Sequence, residues 1–447
     1  MDPQTVFKAY DVRGRADTGE LSEELYRRTG VALVDRLGAE TVAVGRDCRP
    51  TSPGFAAALT AGIRSAGGDV IDVGEVPTDA IYYYSGAHQV HGAVVTASHN
   101  PSEYNGLKLC RPGAAPIGME TGLAEIRDEV IARSEPVGER EGSLRSESIV
   151  DAYVDHLFSI VASESITDLS IAADGGNGMA GVAIHQVFDR IKASLHGLYL
   201  EPDGTFPNHP ADPLVPENLV DLERLMEGGG FDLGVAFDGD ADRAFFLDDQ
   251  GEALTGSTVT SLVARRILVD QPGASVVHNL ITSKAVPEIV TEAGGNPVRT
   301  RVGHSFIKQV MAESGAVFGG EHSGHYYFKD NFRADSGMLA MLFLLRVVSE
   351  DGRPLSVIRG DVERYAASGE INFIVGDQQA AMEEVEAEFK DAEIDYLDGL
   401  TVDLGDRWFN LRPSNTEPLL RLNAEGPQPE DVSALVEQVR RIVESEE

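Results

Sequence analysis

Apolar and polar positions alternate with two different periods along the first third of the chain. Thr41-Val42-Ala43-Val44-Gly45 is a short apolar run that reads as a buried strand. Gly54 to Ser65 follows with helical spacing behind Pro53, a residue favoured at the first helical position. Asp69 to Val73 and Gly92 to Thr96 predict two more strands, Met119 to Arg133 a helix, and Pro136 to Gly142 a loop or linker. The rhythm restarts with a helix near Ile149 and a strand at Leu169 to Ala173, followed by a glycine-rich turn at Asp174 to Gly178. After a long polar, proline-rich loop at Glu201 to Pro216, the apolar run Leu233 to Phe237 predicts a strand. A third alternation spans Ser257 to about Ser349. The last stretch is a smaller unit with strands at Ile371 to Val375 and Leu419 to Asn423 and a closing helix over Pro429 to Ser445. Strand–helix alternation predicts sheets covered by helices. The expected division is therefore three α/β domains, 1–148, 149–250 and 251–362, and a distinct α+β domain, 363–447.

Composition narrows this picture. No apolar run reaches the roughly 20 residues that span a bilayer, and Met1-Asp2-Pro3-Gln4 has neither the basic start nor the apolar core of a secretory signal. Cys48 and Cys110 are the only cysteines, too few for a disulfide framework or a thiolate metal site, so a cytoplasmic location is expected. The chain carries 73 acidic and 37 basic residues, a net charge of −36, and only 7 of the basic residues are lysine. Such a surface repels nucleic acid and anionic membranes. It also repels itself in dilute salt, where screening is weak, which leads us to expect a halophilic, archaeal source.

Four loops carry candidate chemistry. In Asp238-Gly239-Asp240-Ala241-Asp242-Arg243, three carboxylates alternate directly after an apolar strand. On an extended loop they point the same way, and at about 4 Å each pair would repel by roughly 4 kcal/mol at an effective dielectric of 20. A hard divalent cation removes that conflict, Mg²⁺ in preference to a calcium EF-hand, whose sixth and twelfth positions fall on Arg243 and Asp249. The second loop is Thr96-Ala97-Ser98-His99-Asn100-Pro101, behind a predicted strand, with Gly92 and Ala97 leaving room for close approach. A serine takes part in group transfer when activated or already phosphorylated, and a phosphoserine of charge about −1.5 to −2 beside the aspartates would need the same cation. Lys108 is a candidate proton carrier if burial beside other cations lowers its pKa towards neutrality. The third loop, Gly319-Gly320-Glu321-His322-Ser323-Gly324-His325, places a carboxylate and a hydroxyl among small residues, suited to bidentate bonding of vicinal hydroxyls. The fourth, Arg412-Pro413-Ser414-Asn415-Thr416-Glu417-Pro418 with Arg421 beyond it, offers two guanidiniums, hydroxyls and backbone amides as a phosphate cradle.

These four loops in this order, together with Tyr10-Asp11-Val12-Arg13-Gly14 and Gly303-His304-Ser305-Phe306-Ile307-Lys308, resemble the α-D-phosphohexomutase superfamily. The resemblance spans almost the whole chain and implies four domains around a central cleft, three similar α/β domains with mixed sheets and a smaller α+β one. It implies that Ser98 is a phosphoserine and, with Asp238, Asp240 and Asp242, a Mg²⁺ ligand. Lys108 and Arg243 would handle protons and charge at the reacting hydroxyl, with Arg13 and His99 in the same pocket. Glu321 and Ser323 would grip the sugar, His304 nearby, while Arg412, Ser414, Asn415, Thr416 and Arg421 would hold the non-reacting phosphate. The implied reaction interconverts hexose 1- and 6-phosphates through a bisphosphorylated sugar, with glucose 1,6-bisphosphate or an equivalent as phosphorylating activator.

Tyr104-Asn105-Gly106 and His325 to Asp330 look more like phosphomannomutases and dual phosphomannomutase/phosphoglucomutases than phosphoglucosamine mutases. His322 matches neither the methionine nor the glutamine usual in those groups. Ile281 stands where many dual-specificity members have a substrate-side lysine, and Lys284 replaces it only if the local path differs. Phosphoglucosamine mutase is the alternative, and the oligomeric state stays open.

Overall fold

The computed structural model describes residues 3–132, 141–414 and 419–444. The reading of Pro136 to Gly142 therefore falls largely outside the described residues, as do Arg133, Ser445 and the sites at Asn415 and Thr416. The chain divides into two compact units, residues 1–255 with 323–358, and residues 256–322 with 359–447.

The first unit contains two helix-flanked mixed sheets. In one, the strand order is Val12–Arg15, Tyr104–Arg111, His91–Val95, Thr41–Arg46, Asp69–Glu75 and Leu144–Ser146. The inner strands His91–Val95, Thr41–Arg46 and Asp69–Glu75 run parallel, and Tyr104–Arg111 is antiparallel to both of its neighbours. His91–Val95 is buried throughout, which is why its sequence is continuously apolar rather than alternating. Helix Glu23–Leu37 starts where the Ser22 hydroxyl accepts the Leu25 amide and stops at left-handed Gly38. The predicted helix from Met119 is two pieces, a 3₁₀ turn Met119–Thr121 and an α-helix Leu123–Ala132, because Gly122 (φ 129°) separates them.

The second sheet has the order Ser194–Leu198, Ser170–Asp174, Leu233–Phe237 and Ala244–Leu247. Its last two strands are antiparallel and joined by the aspartate loop. Residues 323–358 add the hairpin Tyr326–Phe328/Ala334–Asp335 and the almost fully buried helix Gly337–Asp351. Residues 323–358, the end of the predicted third alternation, are grouped with the first unit.

The second unit holds the parallel strands Asn296–Thr300, Ser275–Asn279 and Phe318–Gly320. It also holds an antiparallel sheet ordered Ala366–Ile374, Leu419–Gly426, Trp408–Pro413, Leu400–Asp403 and Glu393–Asp395. Residues such as Phe373, Leu411, Leu420 and Leu422 form the core of that sheet together with Val385, Leu435 and Val439 from helices Gln378–Glu388 and Pro429–Val443. Three α/β domains and a smaller C-terminal domain are therefore present, as the sequence predicts. No helix among the described residues is long and apolar enough to cross a membrane.

Candidate active site

Ser98 follows the buried strand His91–Val95 and adopts a left-handed backbone (φ 52°), uncommon for a residue with a β-carbon. Its conformation is held from below by Arg49, a fully buried guanidinium. Arg49 donates to the carbonyls of Ser98 (2.8 Å), Asn100 (2.6 Å), Pro101 (2.6 Å) and Tyr104 (3.2 Å), and its Nε to Asp47 (3.0 Å). From the other side Arg13 donates to the Asn100 amide oxygen at 2.7 Å and to Asp11 at 2.6 Å. The expected room at Gly92 lies elsewhere: Gly92 sits within the strand, where a β-carbon would meet the Cys110 sulfur at 2.7 Å. The close approach is at Gly239, where a β-carbon would stand 2.3 Å from the Ser98 carbonyl oxygen. Glycine there lets the aspartate loop touch the serine loop.

The aspartate loop is a tight turn, not the extended segment expected, and Ala241 takes a left-handed conformation (φ 62°). The turn still brings Asp238, Asp240 and Asp242 together, all buried, with carboxylate oxygens within 4.8 Å of one another. Ser98 Oγ donates to Asp238 Oδ2 at 2.8 Å. Arg243 Nε donates to the same oxygen at 2.9 Å, and Lys108 Nζ pairs with Asp240 at 2.6 Å and with Asp242. Thr78, the first residue of helix Thr78–His88, donates its hydroxyl to Asp240 at 2.6 Å and its amide to the Asp240 carbonyl at 3.0 Å. Asp240 Oδ1 and Asp242 Oδ1 are buried and make no hydrogen bond among the described residues. Buried carboxylate oxygens without donors, in an all-oxygen donor set, fit a hard divalent cation.

Burial opposes charge throughout this centre, and the neighbours decide which groups keep it. Burial pushes Asp238 up to about 7 despite Arg243, and burial with Asp240 also raises Asp242. Burial likewise disfavours the Asp240 charge, but Lys108 and Thr78 outweigh it and hold this carboxyl below its ordinary range. Lys108 departs from expectation. Its near neighbours are carboxylates rather than cations, and although burial opposes its charge, Asp240 and Asp242 hold its pKa well above that of an ordinary lysine. These carboxylates favour its charged form in this structure. His99 Nδ1 lies 3.2 Å from Ser98 Oγ, and burial, then Arg243 and Arg13, lower its pKa to about 2, so the ring is neutral.

One imidazole beside this centre has no role in the sequence reading. His325 Nε2 stands 3.9 Å from both Asp242 and Asp335, and its Nδ1 is 3.0 Å from Ser323 Oγ. Behind the aspartate loop, buried Asp79 accepts the Tyr153 hydroxyl at 2.6 Å and the hydroxyl of Ser336, the N-cap of helix Gly337–Asp351, at 2.5 Å. The clues available in the sequence were slight: Pro77-Thr78-Asp79 as a helix start, Asp47-x-Arg49 behind a buried strand, and a histidine at the end of the third loop.

In the second unit, Glu321 is buried and accepts the Gly303 amide at 3.1 Å and the Asn279 side chain at 3.4 Å. Asn279, which the sequence reading left without a role, also lies 3.1 Å from His322 Nδ1. The side chain of His304 is outside the described residues. Ile281 is buried, and Lys284 donates to Asp403 at 2.7 Å and to the Gly405 carbonyl at 3.1 Å. On the C-terminal sheet, Arg412 pairs with Glu370 at 2.7 Å and Arg421 with the same carboxylate at 3.4 Å. The backbone amide of Ser414 donates to the Leu419 carbonyl at 2.8 Å.

Comparison with known proteins agrees with this geometry over the whole chain. Four phosphoglucomutase/phosphomannomutase family models match in order: α/β/α domains I, II and III at residues 4–136, 151–251 and 255–365, and the C-terminal domain at 370–442. The chain is 43% identical to a protein of Xanthomonas campestris named for phosphohexose mutases, over 94% of each chain. It is 40% identical to a phosphomannomutase of Salmonella montevideo over 95% of each. Among solved structures, a phosphoglucomutase/phosphomannomutase family protein of Burkholderia thailandensis superposes with a TM-score of 0.91 at 30% identity, covering 100% of this chain and 98% of the other.

Proposed function

We propose, from the premise that this chain belongs to the phosphoglucomutase/phosphomannomutase family and is a phosphohexomutase, that it isomerises mannose phosphate, and glucose phosphate beside it, through a phosphorylated Ser98. The observation that carries the role of Ser98 is its hydroxyl, 2.8 Å from a buried carboxylate and facing two more whose outer oxygens lack donors. Four domains, 1–148, 149–250, 251–362 and 363–447, would each contribute one loop to the reaction.

In the first half-reaction the phosphorus–Oγ bond of phosphorylated Ser98 breaks as a bond forms to the free C1 or C6 hydroxyl of the sugar. The hydroxyl proton passes to the imidazole of His325, which has the carboxylates of Asp242 and Asp335 beside it. Lys108 and Arg243, both cationic, offset the charge that develops on the transferring group, and Arg13 and His99 line its path. Mg²⁺, held by Asp238, Asp240, Asp242 and the Ser98 phosphate, would supply Lewis-acid stabilisation of that charge. The bisphosphorylated sugar then reverses end for end and returns its other phosphate to Ser98. Glu321 and Ser323, with His304, would grip the sugar hydroxyls. Arg412, Ser414, Asn415, Thr416 and Arg421 would hold whichever phosphate is not reacting.

Purified protein incubated with Mg²⁺, a trace of glucose 1,6-bisphosphate and, in parallel, mannose, glucose or glucosamine 1-phosphate tests this directly. The 6-phosphate should form fastest from mannose 1-phosphate. A preference for the glucosamine compound would move the chain to the alternative sugar, and release of inorganic phosphate alone would end the mutase reading. The net charge of −36 supports a saline cytoplasm, and the archaeal source rests on that charge alone. Replacing molar KCl by dilute buffer should lower the melting temperature, and an unchanged or higher value would refute the salt adaptation.

A further inference from the structure

The C-terminal sheet has one apolar and one polar face, and the polar face is unusual in what it places side by side. Residues Ile371, Phe373, Leu411, Leu420 and Leu422 turn towards the helices. Alternation then puts Glu370, Arg412, Arg421 and Asn423 on the opposite face. Register makes Arg412 and Arg421 direct cross-strand partners, and Glu370 the direct partner of Asn423, one pleat along. Two guanidiniums directly opposite each other repel. Here the repulsion is sharpened because Arg412 is buried, which lowers its pKa.

The Glu370 carboxylate resolves that repulsion by bridging the pair, with Oε2 2.7 Å from Arg412 and Oε1 3.4 Å from Arg421. A carboxylate spanning two arginines through two oxygens has the charge and spacing of the contact those arginines would make with a phosphate. The bridge is also incomplete. Among the described residues, Arg412 Nε, Arg421 Nε and Asn423 Nδ2 are buried without a hydrogen-bond partner. The face therefore has more donors than its internal anion can use.

We propose that Glu370 is an internal stand-in for the substrate's phosphate: it neutralises Arg412 and Arg421 while the cradle is empty, and phosphate enters by displacing it. This rests on the reading above that these arginines hold the non-reacting phosphate. The pair with Glu370 carries a net charge of +1, and a phosphate dianion arriving beside an undisplaced carboxylate would face a like charge. Binding is thus an exchange of anions, weaker than binding to two bare guanidiniums. A mutase has a use for such weakening. Each turnover requires the cradle to release one phosphate of the bisphosphorylated sugar and take the other, and a waiting carboxylate lowers the barrier to release.

The sign of one substitution decides the matter. In Mg²⁺-free titrations of the full chain with mannose 6-phosphate at fixed ionic strength, Glu370→Gln should bind on the order of tenfold more tightly than wild type. In turnover assays KM and kcat should fall together as release slows. Glu370→Ala should shift affinity the same way, which separates loss of charge from any new bond made by glutamine. If both variants bind equally or more weakly while Arg412→Ala loses affinity, Glu370 merely positions the arginines and the proposal is wrong. If Arg412→Ala binds as wild type does, the cradle itself is misassigned and the proposal falls with it.

Discussion

The centre around Ser98 and the arginine pair of the C-terminal sheet both juxtapose carboxylates and cations, yet they are built to opposite specifications. Around Ser98 the three aspartates and Arg243 are buried, Lys108 is part-buried, and most are held by two or more partners, several from distant parts of the chain. On the C-terminal sheet one half-exposed carboxylate serves two guanidiniums and leaves some of their donors unused. Bond making and breaking at Ser98, as proposed, would need fixed geometry, because a preorganised charge stabilises a transition state only where it already points. The proposed cradle, accepting either end of a sugar, would need contacts that are easily exchanged. The difference lies in the number of anchors per charge rather than in the kinds of residue used.

The severest challenge to the rigid half is removal of its proposed reacting atom. Ser98→Ala should lower turnover by about a thousandfold or more, measured as 6-phosphate formation with activator present. Rates near wild type would leave the aspartate cluster without a reaction. Next, Asp240→Asn should raise the Mg²⁺ concentration for half-maximal activity on the order of a hundredfold. An unchanged metal requirement would separate the cluster from the cation. The anchoring argument itself is tested at Arg49. Lysine has no planar fork to reach the four carbonyls Arg49 holds, so Arg49→Lys should reduce kcat by roughly tenfold while KM stays within about twofold. A change in KM alone would mean that the loop below Ser98 is not a positioning element.

The smallest effect belongs to the support behind the metal loop. Burial pushes the Asp79 carboxyl up to about 7, against an ordinary aspartate value of 3.8, so the folded state holds this proton more tightly than the unfolded one. Its stability penalty is therefore small near pH 4, grows as pH rises, and is complete above about 7. Asp79→Asn keeps an oxygen for Tyr153 and Ser336 and removes the charge. Its melting temperature should exceed that of wild type by a few degrees at pH 8 and by less at pH 5. An equal gain at both pH values would show that Asp79 does not titrate.

Ser98 and the three aspartates were legible because each group is contiguous and stands at the end of an apolar strand. Thr78, Arg49 and His325 were not, since their roles come from residues brought together by sheet order: Thr78 and Asp240 are 162 positions apart, and Arg49 and Ser98 are 49. The carboxylate neighbours of Lys108 were hidden for the same reason, as they lie more than 130 positions away. The C-terminal cradle was legible as a set of cations. Its internal anion was hidden, because antiparallel register rather than sequence distance puts Glu370 beside Arg412.

Arg49 has a consequence for how the protein folds. A guanidinium is costly to strip of water before its acceptors are in place. Those acceptors come from the Ser98 loop and the start of strand Tyr104–Arg111. The cover comes from the loop after Glu201, with the Phe206 ring 4.9 Å from Arg49 and Gly204 packed against its backbone. The cation can be desolvated only once both sheets of the first unit have formed and that loop has closed over it. In refolding after dilution from denaturant, catalytic competence should therefore return with the slowest phase, later than secondary structure.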